Sequence, residues 1–484
     1  MPMLDTRVPA VLLRIDRNPF HHGTLGAVRS LGRAGVEVHV VADSAGSPVA
    51  GSRFVSAMHP PPPPGSSPAE IAAVLRRVAA RVARPAVLVP MDDAGALAVG
   101  RIGGDLGDAF LLPGQPLALA ERVADKAELA AVCASAGVPH PVTLVPESPA
   151  QAAAATRRLG LPLMAKWSRP WLLPAGSDLR STVLVRSARE ARDLCRRAAE
   201  AGSPLLLQAF VPPGPDRDWF VHGYVGRSGT THGGGAGRKH RSWPRGAGLT
   251  AVGRWTPHPE LEDLVERLTG ALGYRGVFDL DFRRDGTGRY HLLDFNPRPG
   301  AQFRLFEDGG GLDVVRALHL DLTHRPLPDP APLPGRAFVV ENYAPLSALL
   351  PRPRPAGREL AWHAPDDRAP GRALWSLWAR HVPLRLVQRA GRLLRAAGGV
   401  PAAGDPTRGA AAAVTEALEE LAAPVPASAG PRADPTVVRP RGEARPGPRG
   451  SARVPAPARR DGLPADSSTA PGDSRAGGET ADSR

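Results

Sequence analysis

Residues 8–15, VPAVLLRI, form a continuous apolar run, the pattern of a strand buried on both faces. A polar loop over residues 16–23 follows. TLGAVRSLGRAG then carries its apolar positions at helical spacing and closes at Gly35, and VEVHVVAD predicts a second strand. Strand, glycine-containing loop, helix, strand is a βαβ unit with parallel pairing. Ser67-Pro68-Ala69-Glu70 is a capping box with proline at the first helical position, opening a helix to about residue 83. AVLVP (86–90) is the next strand. Residues 1–115 therefore read as a small doubly wound α/β domain.

The pattern changes after residue 116. A helix is expected from Lys126 to about Gly137, then an extended VPHPVT, a second capping box at Ser148-Pro149-Ala150-Gln151, and a short strand PLMAKW (162–167). Ser187 and Glu190 cap a further helix, and LLLQAFV (205–211) is a buried strand ending in Pro-Pro-Gly. DWFVHGYVG and a glycine-rich turn suggest antiparallel strands, and 258–272 a helix. GVFDLDFRR and RYHLLDFN flank Asp285-Gly286-Thr287-Gly288, a strong hairpin signal. Residues 116–330 thus mix antiparallel strands and helices, an α+β unit in two parts, 116–203 and 204–330. RAFVVENYA (336–344) is one more strand in a segment 331–400. No internal repeat is evident.

Composition sharpens the C-terminal half. Of 484 residues, 55 are proline and 53 glycine, concentrated toward the C-terminus. Residues 424–484 hold almost no large apolar side chains and cannot offset their ordering entropy, so 401–484 is read as a mostly disordered tail. Residues 370–399 space Leu374, Trp375, Trp378, Val382 and Leu386 at helical intervals among six arginines and no acid. They read as an amphipathic helix packed on the preceding domain with a solvated basic face; the alternative is contact with anionic lipid or nucleic acid. No nucleic-acid-binding motif supports the latter.

Lysine plus arginine number 61 against 47 acids, a net charge of +14, which excludes a halophilic protein and allows an anionic ligand. Two cysteines, Cys133 and Cys195, exclude a disulfide scaffold and fit a reducing cytosol. No apolar run reaches the ~18 residues of a membrane span, and the N-terminus lacks a signal-peptide pattern, so a cytoplasmic location is expected. Only three basic residues are lysine, Lys126, Lys166 and Lys239, and only three residues are asparagine, Asn18, Asn296 and Asn342. In a chain so rich in arginine, a retained lysine hints at chemistry arginine cannot supply, a hint that gains weight if the three fall on one site.

The most specific chemical signal is DLDFRRDGTGRYHLLDFNPRPG (279–300). A hairpin folded at Asp285-Gly286 brings Asp281 close to Asp294, and Asp294 and Asn296 share a face. Two carboxylates and an amide oxygen suit Mg²⁺, a hard ion. Arg298 can reach a phosphate bridged by that ion. The plainer reading is a hairpin whose Asn-Pro ends a strand. GGGAGRKHRS (233–242) lacks the Gly-Lys-Ser/Thr ending of a phosphate loop and is expected as a strand-connecting loop over the active site, with Lys239 and Arg241 pointing inward. His21 and His22 are expected as a polar lead into a helix N-terminus, in preference to metal binding.

Residues 120–300 resemble the ATP-grasp ligases, on ADKAELAAVCASAGVPHPVT, LPLMAKW, LLLQAFVPPGPD, YRGVFDLDF and LLDFNPR in that order and spacing. The N-terminal βαβ unit looks like the domain preceding the grasp in that family. DRNPFHHGTLGAVRSLGRAG and KHRSWPRGAG are similar to carboxylate–amine ligases of the actinobacterial type. The resemblance implies a pre-ATP-grasp domain followed by an ATP-grasp domain of two α+β subdomains. It makes Asp281, Asp294 and Asn296 the Mg²⁺ ligands, with Mn²⁺ as an alternative, and Arg298 the phosphate arginine. It gives Lys126 and Lys166 to the ATP phosphates and the hinge at Gln208, Ala209, Phe210 and Val211 to adenine. Asp216 falls near the ribose position. Two of the three lysines thus lie on motif positions, and the third, Lys239, in a stretch that similar proteins keep basic.

The implied reaction is phosphorylation of a small-molecule carboxylate by ATP and attack of an amine on the acyl phosphate. The motifs do not reveal which carboxylate or amine. One departure stands out: WSRPWLLPAGSDLRS (167–181), where the family has a glycine-rich lid, holds a single glycine, Gly176. Either the lid is stiffer or Arg169, Ser177 and Arg180 contact phosphate through side chains. The departure suggests as an alternative a nucleotide-binding protein with little or no turnover, and the arginine-rich C-terminus suggests a binder of anionic surfaces.

Overall fold

The structure, a computed structural model, describes residues 3–376 apart from 44–46, 117, 175–177, 244–248 and 350–355. The expected disordered tail and most of the basic helix over 370–399 lie outside the described residues.

The apolar runs of the first domain become a parallel sheet. Its strands β1 (Ala10–Leu13), β2 (Val38–Val41), β3 (Ala57–His59), β4 (Ala86–Pro90) and β5 (Phe110–Leu111) stand in the order β3-β2-β1-β4-β5. Helices α1 (His22–Arg33), α2 (Pro68–Val82) and α3 (Asp93–Ile102) connect them. β1 and β2 are buried on both faces, as continuous apolar runs require. The Ser67 capping box forms reciprocally with Glu70. His21 caps α1, its Nδ1 accepting from the Thr24 amide.

The second part begins with α4 (Leu119–Ala124) and α5 (Lys126–Ser135). It continues through β6 (Thr143–Leu144), α6 (Pro149–Leu159), β7 (Leu163–Trp167), β8 (Thr182–Val185), α7 (Ala188–Arg196), α8 (Ala198–Ala201) and β9 (Leu205–Ala209). Its four strands form an antiparallel sheet in the order β6-β9-β7-β8. The third part is a seven-stranded sheet, β14-β13-β10-β11-β12-β15-β16. Its strands are β10 (Asp218–Val225), β11 (Thr231–Trp243), β12 (Leu249–Trp255), β13 (Gly276–Arg284), β14 (Tyr290–Asn296), β15 (Ala337–Val339) and β16 (Arg358–Leu360), with helices α9 (Pro259–Leu272) and α10 (Val314–Leu322). Mixed parallel and antiparallel sheets of this kind match the fold class expected. Among the described residues no helix is long and apolar enough to cross a membrane.

Two expectations change. The glycine-rich stretch 233–242 is not a loop but the middle of the long strand β11. Its glycines let β11 press onto β10: a Cβ on Gly234 would collide with the His222 carbonyl, and one on Gly237 would meet the Phe220 ring at 2.7 Å. The strand expected over 336–344 is limited to β15, and the chain turns at residue 341.

The first sheet and the third part share one core, in which Leu25, Val28 and Leu31 of α1 pack with Phe303, Phe306, Val315 and Leu318. Asp313 pins this junction. Fully buried, it caps α10 by accepting from the Val315 and Arg316 amides at 3.0 Å. Its other oxygen receives Ser30 Oγ of α1 at 2.6 Å and the Arg304 guanidinium at 2.5 Å. Asp313→Ala removes a cap and strips one partner from a buried cation, so we expect a loss of about 3–5 kcal/mol. The thermal midpoint measures it, and Asp313→Asn, which keeps an acceptor but not the charge, should fall between.

Candidate active site

β13 and β14 pair so that Asp281 stands opposite Asp294 and Asp279 opposite Asn296. Side chains two apart on a strand share a face, so the hairpin gathers three carboxylates and an amide on one surface. Asp279 and Asn296 are buried; Asp281 and Asp294 are about one-third open, at 30% and 35%. Carboxylates so placed need cations, and four arrive from four places in the fold.

Lys239 of β11 reaches across β10 and places Nζ 2.7 Å from Asp281. Lys126, at the first turn of α5, contacts Asp294. Lys166 of β7 donates to the Leu293 carbonyl at 3.1 Å, bringing the four-stranded sheet against β14. Arg298, just past β14, spans two acids: Nε is 2.9 Å from Asp93 at the start of α3, and Nη1 is 3.4 Å from Asp279. Beneath it His222 of β10 puts Nε2 2.8 Å from Asp279.

Protonation follows from this layout. Burial opposes ionisation of Asp279, but His222 and Arg298 outweigh it and hold the carboxyl below its ordinary range. Burial, with Asp279 nearby, lifts Asp281 above its ordinary value in spite of Lys239. Partial loss of water raises Asp294 too, yet Lys126 and Lys166 pull it down. Lys239 loses solvation but is held charged by Asp281. Lys166 has no carboxylate in contact, and burial pushes its ammonium down to about 8, partly countered by Asp294.

The remaining expected site residues are placed as follows. Gln208 and Ala209 lie in β9, paired on both sides by β6 and β7, and the Ala209 amide donates to Val142 at 2.8 Å. The Gln208 side chain turns to Thr143, 3.0 Å away. Phe210 and Val211 follow the strand, and the Val211 carbonyl accepts from Arg283 at 3.1 Å. Asp216 is engaged by Arg238 at 2.9 Å. Arg241 is not brought onto the carboxylates with Lys239: a β-bulge at His240 separates the two, and Arg241 makes no ion pair among the described residues. Arg169 is tied to Asp125, the N-cap of α5, at 2.7 Å. Gly176 and Ser177 lie outside the described residues.

Sequence reasoning missed Asp279, His222 and Asp93. Asp279 was within reach of it, being two before Asp281. His222 and Asp93 carried no local signal. Among the described residues no group of three His, Cys, Asp or Glu is disposed to hold a metal; the expected set has only two carboxylates. It still fits a hard cation. Asn296 Nδ2 donates to the Asp279 carbonyl at 3.2 Å, so its Oδ1 is left as an acceptor alongside Asp281 and Asp294.

No family model matches the sequence, and no curated protein matches it. Solved structures do. N5-carboxyaminoimidazole ribonucleotide synthetase from Thermus thermophilus superposes with a TM-score of 0.50 at 20% identity, over 67% of this chain and 81% of that one. Biotin carboxylase from Campylobacter jejuni, solved with β,γ-ATP, gives 0.51 at 14% identity over 66% and 72%. The biotin carboxylase domain of Hydrogenobacter thermophilus 2-oxoglutarate carboxylase, solved with MgADP, ADP and bicarbonate, gives 0.50 at 17% over 66% and 71%. The fold these structures share with this chain is the ATP-grasp fold.

The Lys166 environment makes a measurable claim. Its ammonium should titrate near 8, and Asp294→Asn, which removes the carboxylate that supports the charge, should lower that value further. Because the folded value lies below the unfolded 10.5, this group opposes folding below about pH 8 and the penalty fades as pH rises to about 10.5. Reductive ¹³C-methylation with NMR titration reads it directly, since only three lysines contribute. A Lys166 signal titrating above 10 would contradict the buried placement.

Proposed function

We propose that this chain is an ATP-dependent, ADP-forming ligase that activates a small-molecule carboxylate as an acyl phosphate and couples it to an amine. The observation that carries this is the convergence of Lys126, Lys166, Lys239 and Arg298 on the hairpin that bears Asp279, Asp281 and Asp294. Phosphoryl transfer calls for positioning and charge neutralisation more than covalent chemistry, and this set supplies both. The β,γ-ATP and MgADP complexes named for two of the neighbours support the nucleotide assignment. Domain limits follow the same reading: a pre-ATP-grasp domain over 1–115, the grasp over 116–203 and 204–330, and a C-terminal segment over 331–400.

In this reading Lys126 and Lys166 bind the phosphates, and Arg298 neutralises the phosphoryl group in transfer, held in place by Asp93 and Asp279. Lys239 turns from Asp281 toward the same charge. The hinge at Gln208, Ala209, Phe210 and Val211 faces adenine, Asp216 the ribose, and Arg241 the active-site rim. Asp281, Asp294 and Asn296 would hold Mg²⁺ or Mn²⁺, which when bound supplies further positive charge to the phosphates. No nucleophilic side chain is required. Both thiols are buried, and burial pushes Cys133 up to about 12. The reacting atoms balance without one: the carboxylate oxygen takes the γ-phosphoryl group and ADP leaves, then the amine nitrogen takes the acyl group and phosphate leaves.

The test is ADP release from the full chain with Mg²⁺-ATP and panels of carboxylates and amines. Release should require both partners. Asp294→Asn should leave the nucleotide-free melting temperature nearly unchanged and lose most of that release. ADP formed at the same rate without any carboxylate, or full activity in the variant, would overturn the assignment. The glycine-poor stretch 167–181 favours a second reading, nucleotide binding without turnover; it would appear as an ATP-dependent rise in melting temperature with no acceptor-dependent ADP.

Lys166→Arg is the sharper variant. Arginine is common in this chain, so a lysine that only carried charge should be replaceable. A planar fork in place of a compact ammonium should misplace the phosphates, and an error of ~1 Å can lower the rate ~100-fold. We expect Lys166→Arg to keep its nucleotide-free melting temperature and lose most ATP-dependent stabilisation and activity, as Lys166→Ala should.

A further inference from the structure

A cavity of about 540 Å³ lies between the first sheet and the third part, within the size range of small-molecule sites. Leu88 and Val99 wall it on one side and Val277, Leu318 and Leu322 on the other. None of Lys126, Lys166, Lys239, Asp281 or Asp294 lines it, so it lies beside the carboxylate cluster and shares only Arg298 with it. Residues 297–299 form part of its wall, so it backs onto Arg298.

Its charge is one-sided. No aspartate or glutamate lines it, whereas Arg227, Arg275 and Arg298 do. Two of these arginines are already neutralised, Arg227 by Asp321 and Arg298 by Asp93 and Asp279. Arg275 is not. Its Nη1 donates to the Tyr274 carbonyl at 2.7 Å, its amide to Gln115 at 2.7 Å, and no carboxylate pairs with it among the described residues. An apolar chamber with one uncompensated guanidinium is complementary to an apolar body that ends in an anion.

The geometry points to a second ligand site, for an amphipathic organic anion whose aliphatic or aromatic body fills the chamber and whose acidic group pairs with Arg275. The site stands whether or not the chain is a ligase. Such a ligand touches both parts of the fold and the segment that carries Arg298, so its binding is felt at that residue.

The experiment uses the full chain without nucleotide and follows the melting temperature. The probes are octanoate and 3-phenylpropionate, with n-octylamine as the charge-reversed control and inorganic phosphate as the body-free one. Well above their Kd the two acids should raise the midpoint by about 2 °C or more, and the controls should not. Ala120→Leu, which extends a buried wall residue into the chamber, and Arg275→Glu, which reverses the charge, should each abolish the rise. If Ala120→Leu does not fold, Arg275→Glu decides alone. No rise with either acid, an equal rise with octylamine or phosphate, or a rise retained in Arg275→Glu would overturn the proposal. Adding Mg²⁺-ATP and an amine then separates the sources of the anion. Consumption of the acid marks it as the substrate carboxylate, and a changed ADP rate without consumption marks it as an effector.

Discussion

A carboxylate wholly or partly taken out of water needs a cation within reach, and this structure places three of them, Asp279, Asp281 and Asp294, on one hairpin face. The positions of Lys126, Lys166, Lys239 and Arg298 answer that need. They come from a helix N-terminus, a strand of the small sheet, a strand two places across the large sheet, and the segment after β14. None is close to another in sequence, so the site exists only when the two later sheets and the first domain are in place. The pairs themselves add little net stability, since desolvation offsets most of their attraction. For the one fully buried acid the effect is conditional: without His222 and Arg298, Asp279 is left buried and unpaired. Chemistry and architecture therefore constrain each other here.

Arg298 shows how far that coupling extends. One edge of its guanidinium meets Asp93 of the first domain and another meets Asp279 of the large sheet, which rests on His222. A Cβ on Gly300 would run into the His222 ring, so only glycine lets the chain pass over this stack. Asp313 makes a second polar tie across the same junction through Ser30. Between elements tied this firmly the first sheet and the large sheet still leave an apolar chamber with an unmatched arginine. Close packing elsewhere at the junction makes that chamber a feature of the fold, not slack in it.

Much of this is legible in the sequence where the determining physics is local. The parallel βαβ unit follows from unbroken apolar runs, and the Ser67 cap from four consecutive residues. The hairpin that joins Asp281 to Asp294 follows from its Asp-Gly turn. Even local signals mislead in detail: Ser148 caps α6, but Gln151 returns its bond to the Glu147 amide, and Glu190 returns its own to the Arg186 amide. What stays hidden depends on partners distant in the chain. Gly234 and Gly237 read as part of a loop because their reason, close approach to His222 and Phe220, lies on a neighbouring strand. Asp93 and Asp279 hold Arg298 from positions 205 and 19 residues away in the chain.

The scarcity of lysine gains meaning from this geometry. All three lysines stand at the carboxylate hairpin, in a chain that uses arginine almost everywhere else. Arginine is used there too, at position 298, where two acids on different elements must be bridged at once and a rigid fork suits the task. The lysines face a different demand. Lys126 and Lys239 each meet a single carboxylate through a compact charge on a flexible stem, and Lys166 meets none. A fork satisfied by two fixed partners is a strut. An ammonium held by one partner, or by a single carbonyl, can turn to a new anion without breaking a bidentate pair. Under the proposed function the residue types divide the site into a part that holds still and a part that follows the phosphates, and that division is what an arginine at 126, 166 or 239 would erase.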